Sequence, residues 1–493
     1  MADGAPLGRT IKQGAVTTAL GFAIRFGARI LFLYIAARLF GVALFGAYSL
    51  AVAAIELAIC VGGLGAKRLL FKHLDAAGER QPIHVVLDSV LTVFGACMAL
   101  AAAIIAVVAL LPESLLSANV ATGLMALAPM IAGQALLDVT LAGTRWKHVM
   151  RYEVTARSIV EPYVGVAAAI GAWWLGWNET GLLVSYWAGT LVALGYAFWG
   201  LRRAYFGLQL RTYRAEPARL MALVRDSASA TLNEGLQGLF GRVDMYLVGF
   251  LLGEVGAGIY GMARQIRTPV RQVRQSFDGL LNPIIARTIA MRGPERTGLA
   301  TAAASRLILA VQLPILVALV LIGEPLLASF GPGFVAGYWA MVLLTAAEMF
   351  QGAFSVSDLI ILYNRPLAAV RITGANIACN VVAGCLLMGP FGVTGAALSV
   401  LIGVFAGIVL RRLTLRRTFG VTVPFHHSAG PFSAALLAVA AAFAVRYLVS
   451  GPALLSQGAA LATGLLAYAA ALRIWMAAAR EDWSLGEFEP EGA

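Results

Sequence analysis

Residues 84–111 read HVVLDSVLTVFGACMALAAAIIAVVALL, 28 residues broken by a single charge, Asp88. Wound as an α-helix at about 1.5 Å per residue, this stretch runs about 42 Å, enough to cross a hydrocarbon core about 30 Å thick. A helix satisfies its own backbone groups in lipid, which an isolated strand cannot do. Working outward, apolar blocks of similar weight fall at 14–37, 44–64, 119–142, 154–176, 180–200, 228–252, 256–280, 304–323, 338–362, 367–389, 393–411, 430–449 and 453–476. With 60% hydrophobic residues, 13% charged residues and a mean hydropathy of +0.81, the chain is an all-α polytopic membrane protein of about fourteen helices. That composition excludes a soluble globular domain. The first block is too long for a cleaved signal peptide and has no small-residue cleavage site after it, so it stays as the first helix.

The net charge of +12 would suggest nucleic acid in a soluble protein, but its placement suggests a membrane. Assigning loops to alternate sides puts 26 Lys and Arg residues on one side and only Arg38 and Arg446 on the other. By the positive-inside rule both termini are cytoplasmic, and the even helix count agrees. The largest cytoplasmic loop, Leu201 to Arg225, is too short for an extramembrane catalytic domain, which argues against an enzyme of glycan assembly; no catalytic residue is assigned. Cys60, Cys97, Cys379 and Cys385 all lie in apolar blocks and read as small core residues rather than disulfide partners. The five histidines show no metal-binding spacing, so no metal is expected.

The chain repeats itself at an offset slightly above 210 residues. Gly41, Gly46 and Tyr48 form G-x4-G-x-Y, and Gly253, Gly258 and Tyr260 repeat the pattern. Glu113, Leu115 and Leu116 recur as Glu324, Leu326 and Leu327, and Gly181, Ser185 and Gly189 recur as Gly395, Ser399 and Gly403. Six crossings restore the starting side, so the matches imply two parallel six-helix lobes with a cavity between them. The organisation expected is a cytoplasmic N-terminus at 1–13, an N-lobe with its basic loop at 14–225 and a C-lobe with its following loop at 226–429. Helices 13 and 14 then occupy 430–479, and an acidic cytoplasmic tail 480–493.

Ionisable groups inside spans are costly in lipid and usually face a cavity or a partner. Arg264, Arg267, Arg271 and Arg274 follow i, i+3, i+7, i+10 spacing, which on one continuous helix keeps them within a sector of about 80°. Arg25 and Arg29 share a face one turn apart on the first helix. Guanidinium groups stay charged and grip phosphate bidentately, so such a cationic cavity suits a pyrophosphate. The alternatives are an interfacial position for the Arg264 to Arg274 face and pairing of Arg25 and Arg29 with Glu56 or another carboxylate. Glu56, Asp88, Asp138, Glu161, Glu234, Asp244, Glu348 and Asp358 are the acids at or within spans, and most are expected to pair with arginines. Asp244 with Asn376 and Asn380 forms a candidate oxygen-rich cation site, with hydrogen bonding between helices by the asparagines as the alternative.

The segments Ala37 to Tyr48 (ARLFGVALFGAY), Arg242 to Gly253 (RVDMYLVGFLLG) with Gly258 to Tyr260, Asn282-Pro283, Gly323 to Leu327 (GEPLL) and Gly392 to Ala397 (GVTGAA) carry a family resemblance. Taken together, they are similar to the polysaccharide transporters, or O-antigen-type oligosaccharide flippases, of the multidrug/oligosaccharidyl-lipid/polysaccharide flippase superfamily. The resemblance implies an alternating-access flippase in the bacterial inner membrane. Such a protein moves an undecaprenyl-pyrophosphate-linked oligosaccharide from the cytoplasmic to the periplasmic leaflet for O-antigen, capsule or exopolysaccharide synthesis. A peptidoglycan-precursor flippase and a cation-coupled multidrug exporter remain the alternatives. The family's cationic cavity is carried onto Arg25, Arg29, Arg264, Arg267, Arg271 and Arg274. No cofactor is implied, and coupling to Na+, H+ or membrane potential is open. The partners are the lipid-linked oligosaccharide, membrane lipids and other polysaccharide-assembly proteins, with no nucleic acid, and the expected state is a monomer.

Overall fold

The computed structural model describes the chain except residues 1–6, 77, 79, 113–115, 206–211, 425–427, 449–452 and 480–493. It describes the backbone alone at 7–23, 25, 68, 278–292, 359, 363, 366, 453–454 and 478–479. The Arg25 side chain, the Glu113 and Leu115 part of the repeat, the side chains of Asn282-Pro283 and the acidic tail therefore lie outside the described residues.

Every regular element among the described residues is a helix. In chain order they are α1 (Leu7–Gly62), α2 (Ala66–Asp75), α3 (Pro82–Leu110), α4 (Ala118–Leu127), α5 (Met130–Trp146) and α6 (Arg151–Thr155). A π-helical turn (Ala156–Val160) leads into α7 (Glu161–Trp174), followed by α8 (Gly181–Ala204), α9 (Pro217–Phe240), α10 (Val243–Ile266) and α11 (Thr268–Phe330). A short 3-10 turn precedes α12 (Tyr338–Phe354), and the chain continues through α13 (Asp358–Asn364), α14 (Pro366–Phe419), α15 (Ala429–Leu448) and α16 (Ala453–Ala479). Among the described residues nine helical stretches are long and apolar enough to cross a membrane, and ten if α4 and α5, bent by 42°, make one crossing. Some of these hold two crossings. Leu367–Phe419 is 53 residues, about 80 Å of helix, and it breaks at Gly392, whose φ is +53°.

The repeated glycines explain the breaks. Gly41 has φ +78° and Gly253 has φ +68°, a left-handed backbone that only glycine adopts without strain. The first glycine of each G-x4-G-x-Y motif is thus the kink at which two helical segments join. Gly46 and Gly258, the second glycines, are both buried. The later repeat works by close approach. A Cβ added at Gly189 would lie 2.7 Å from the Glu161 carbonyl oxygen, and one at Gly403 would lie 2.9 Å from that of Asn376. Each half uses the absent side chain to bring two helix backbones into contact.

By packing, the chain forms two compact units, Met1–Arg242 and Val243–Ala493. The first has a core around Ile55, Val86, Val93, Leu127, Ile131 and Ala135, with α9 packed on α1. The second has a core around Ile308, Leu309, Met349, Ala353, Ile360 and Ala438.

Two expected spans are corrected. The block 228–252 is not one helix: α9 runs from Pro217, with proline in its first turn, to Phe240, and a turn at Gly241 and Arg242 precedes α10. Arg219, Arg225 and Asp226 lower the hydropathy of the first turns of α9, which therefore read as loop. The block 256–280 is also divided. Pro269, in the first turn of α11, has no N–H to bond back to Gln265, and the helix breaks at Arg267 between α10 and α11.

Candidate functional site

The arginine run straddles this break. Arg264 closes α10, Arg267 lies at the junction, and Arg271 and Arg274 follow on α11. Arg267 keeps α-helical dihedrals, so the run stays on a common side and meets acidic partners within the second unit. Arg271 donates to Glu348 of α12 through Nε at 2.9 Å and Nη2 at 3.0 Å, the bidentate geometry that suits guanidinium to carboxylate. Arg267 Nε approaches the same carboxylate at 3.6 Å. Arg264 lies 3.9 Å from Asp244, whose other oxygen accepts a 2.7 Å hydrogen bond from the Tyr260 hydroxyl. Arg274 donates to the Gly352 carbonyl at 3.0 Å and the Ser355 hydroxyl at 2.5 Å.

Among the described residues, Arg264, Arg267 and Arg271 share the carboxylates of Asp244 and Glu348, and Asp358, the partner of Arg411, also acts on Arg274. Exposure divides the run. Arg267 is 6% exposed, whereas the Arg271 side chain is 48% exposed. Arg267 is part of the packing, and Arg271 is half open to its surroundings.

Asp244, Asn376 and Asn380 divide their bonding. Asp244 engages Tyr260 and Arg264, while Asn380 accepts from Ser399 at 2.9 Å. The Asn376 side chain packs over Gly403 and Gly407. The helices that carry them do meet: α10 packs on α14, and a Cβ built at Gly384 would lie 3.5 Å from Leu247. Among the described residues no three His, Cys, Asp or Glu side chains group as metal ligands.

In the first unit, Glu56 receives Arg242 through Nε at 3.1 Å and Nη2 at 2.8 Å, while Arg29 lies exposed on α1. Of the acids singled out from sequence, Glu56, Asp88, Asp138, Glu161, Asp244, Glu348 and Asp358 have arginine partners.

The structure also shows a network that sequence reasoning missed. Arg157, inside the π-helical turn, donates to Glu161 and to Gln134 at 2.8 Å each, and to Asp138. Gln134 donates in turn to Glu161 at 2.8 Å and to the Thr190 hydroxyl at 2.9 Å. Lys67 stands 3.5 Å from Asp138. The widened turn sits just before Pro162, whose ring and missing N–H disfavour a regular α turn there. The readable signal was the pair of i,i+4 couples, Gln134 with Asp138 and Arg157 with Glu161, next to a proline inside an apolar block.

Residues 11–289 match the family described as Polysaccharide biosynthesis protein. Among curated proteins none matches the sequence. Among solved structures, the lipid II flippase MurJ in an inward closed conformation superposes with a TM-score of 0.72 at 14% identity, covering 94% of this chain and all of that one. An inward-facing multidrug resistance MATE family transporter of the MOP superfamily gives 0.59 at 12% identity, over 80% of this chain and 94% of that one. The MATE multidrug transporter DinF-BH gives 0.55 at 13%, over 85% and 98%. These likenesses show that the chain shares the fold of these proteins.

Proposed function

Because the chain belongs to the polysaccharide biosynthesis protein family, we propose that it is a flippase. Its cargo would be an undecaprenyl-pyrophosphate-linked oligosaccharide, carried by alternating access from the cytoplasmic to the periplasmic leaflet of a bacterial inner membrane, with both termini cytoplasmic. The observation that carries this reading is the arginine run at the α10 and α11 junction, where Arg264, Arg267 and Arg271 gather at the Asp244 and Glu348 carboxylates and Arg274 follows one turn on. In this reading Arg271 uses Nε and Nη2 on Glu348 and turns its remaining donors to the pyrophosphate. Arg264 and Arg274 add field, Arg267 holds the frame, and Arg25 and Arg29 are the pyrophosphate-binding candidates of the first unit. The glycan crosses through a hydrated path and the polyprenyl tail stays in lipid.

No covalent step is needed. A ligand held equally by inward and outward states shifts neither, so the arginines must hold the pyrophosphate unequally in the two. Asp244, Asn376 and Asn380 remain the candidate site for a coupling cation, and a transported charge is worth ~2.3 kcal/mol per 100 mV. The TM-score of 0.72 to MurJ favours a second reading, in which the cargo is a peptidoglycan lipid precursor.

The test is complementation of hosts lacking either an oligosaccharide flippase or a lipid II flippase, with expression verified. Restored surface glycan that is lost in Arg271→Ala supports the first reading. Rescue of the lipid II-deficient host alone moves the cargo to the second. Rescue unaffected by any of the arginine substitutions refutes the role given to the run.

A further inference from the structure

A second cationic recess lies in the Val243–Ala493 unit, beyond the Ser355 contact of Arg274. It holds about 380 Å³ of empty space, its mouth included. Thr301 and Ser305 of α11, Phe354, Ser357, Ile408, Arg411, Arg412 and Leu415 toward the end of α14, and Val421 and Val423 beyond it form the walls. Arg411 is only 6% exposed, and its Nη1 is buried with no hydrogen-bond partner. Asp358 pairs with the Nε side of the same guanidinium, so its charge is balanced from one edge while the other edge still has a donor to satisfy. A buried cationic donor left in this state is costly, and its presence points to an acceptor.

The other polar walls differ in what they can give. Ser305 donates within the helix bundle, to Thr301 and Ala353 carbonyls at 2.9 and 2.7 Å. Ser357 reaches the Phe354 carbonyl only at 3.4 Å, so its hydroxyl can turn inward at little cost. Arg412 brings a second full charge, and Arg416 and Arg417 follow one turn later. Phe354, Ile408, Leu415, Val421 and Val423 make the rest of the lining apolar. A small anion fits the polar end, and the apolar wall suits whatever chain that anion carries.

We propose that this recess binds a phosphate group through Arg411 Nη1, Arg412 and the Ser357 hydroxyl. The ligand chemistry is a phosphomonoester or phosphodiester, offered either by an anionic phospholipid headgroup of the leaflet at this end of the helices or by free phosphate. The apolar lining favours the lipid. Guanidinium groups recognise both through the same planar fork, and basic clusters at helix ends draw anionic lipids to the surface.

The test uses the full-length chain in phosphatidylcholine nanodiscs, with phosphatidylglycerol added to the bilayer in one arm and inorganic phosphate added to the buffer in the other. Thermal midpoints and lipid retained on native mass spectrometry are the readouts. Phosphatidylglycerol should raise the midpoint and remain bound, and Arg412→Gln and Ser357→Ala should weaken retention, the arginine change by about tenfold. Arg417→Gln, a basic residue outside the recess, should leave retention unchanged. Arg411→Gln is the most direct change, but it strips Asp358 of its partner and can fail to fold, so the argument rests on Arg412 and Ser357. A shift with phosphatidylglycerol alone identifies a lipid headgroup, and a shift with inorganic phosphate alone identifies a soluble ligand; either supports the site. No shift with either ligand, or retention in Arg412→Gln equal to the wild type, overturns it.

Discussion

Replacing Glu348 by glutamine separates packing from binding in the arginine run. Glu348 now takes two hydrogen bonds from Arg271 and lies 3.6 Å from Arg267 Nε. Glutamine keeps one acceptor oxygen and sets an amide NH2 against the other guanidinium donors. Arg271 is about half exposed, and solvent can take over its contacts. Arg267, at 6% exposure, loses its nearest carboxylate and stays charged inside the unit. Stranding one member of a buried ion pair costs about 3–5 kcal/mol. For a unit of this size each kcal/mol moves the midpoint by roughly 2–4 °C, so a drop on the order of 6–20 °C is expected in detergent-purified protein. The double variant Arg267→Met/Glu348→Gln removes the stranded charge as well and should recover most of that loss. A single variant melting within about 2 °C of the wild type, or a double variant no better than the single, would refute the assignment of Arg267 to the frame.

Arg157→Gln should destabilise the first unit by about 3–5 kcal/mol, because it leaves Asp138 and Glu161 without their shared cation; thermal unfolding with and without a compensating Glu161→Gln measures it. Gly189→Ala and Gly403→Ala each push a methyl group to within 2.9 Å or less of a carbonyl oxygen on a crossing helix. Each should cost about 1–3 kcal/mol, whereas Ala at Gly374, where a Cβ meets nothing within 4 Å, should be tolerated. His73 lies in α2, between the candidate spans, where burial lowers its pKa below the ordinary 6.5, with Lys72 adding to the effect and Asp226 opposing it. The unfolded chain therefore takes up the proton first. Stability is fully present above about pH 6.5 and falls as pH drops through that value toward the lower folded pKa. A pH series of melting midpoints should flatten on this acid side in His73→Gln, and an unchanged slope would exclude the ring as the titrating group.

The membrane class and the repeat were legible because each rests on a local rule. Hydropathy over 20 residues reports whether a helix can cross lipid, and the spacing of Gly41 and Gly253 reports where a left-handed turn is required. The division of 228–252 was hidden because a hydropathy average cannot register a two-residue turn at Gly241 and Arg242. The junction at Arg267 has its cause in Pro269, a local signal that the ideal helical register of the four arginines masks. Ion-pair partners were illegible for a different reason. Glu348 lies 77 residues from Arg271 in sequence, and nothing local to either residue selects the other.

The two charge clusters share a physical logic that neither composition nor hydropathy reveals. In the first unit Arg157 sits in a π-helical turn before Pro162, and in the second Arg267 sits at a break before Pro269. A proline frees a backbone carbonyl and loosens the helix at that point, which in lipid is tolerated only where other groups satisfy or shield the gap. In both units the irregular turn holds an arginine that reaches carboxylates on its own helix or on neighbouring ones. A distorted helix would otherwise bend over a range of angles, and an ion pair to another helix, Asp138 or Glu348, limits that range to arrangements in which the charge stays paired. Packed elements with a few discrete arrangements are what a two-state transporter needs. The positions of Arg157 and Arg267 thus follow from where the backbone is weakest, and Arg271, one turn beyond the second break, is half exposed.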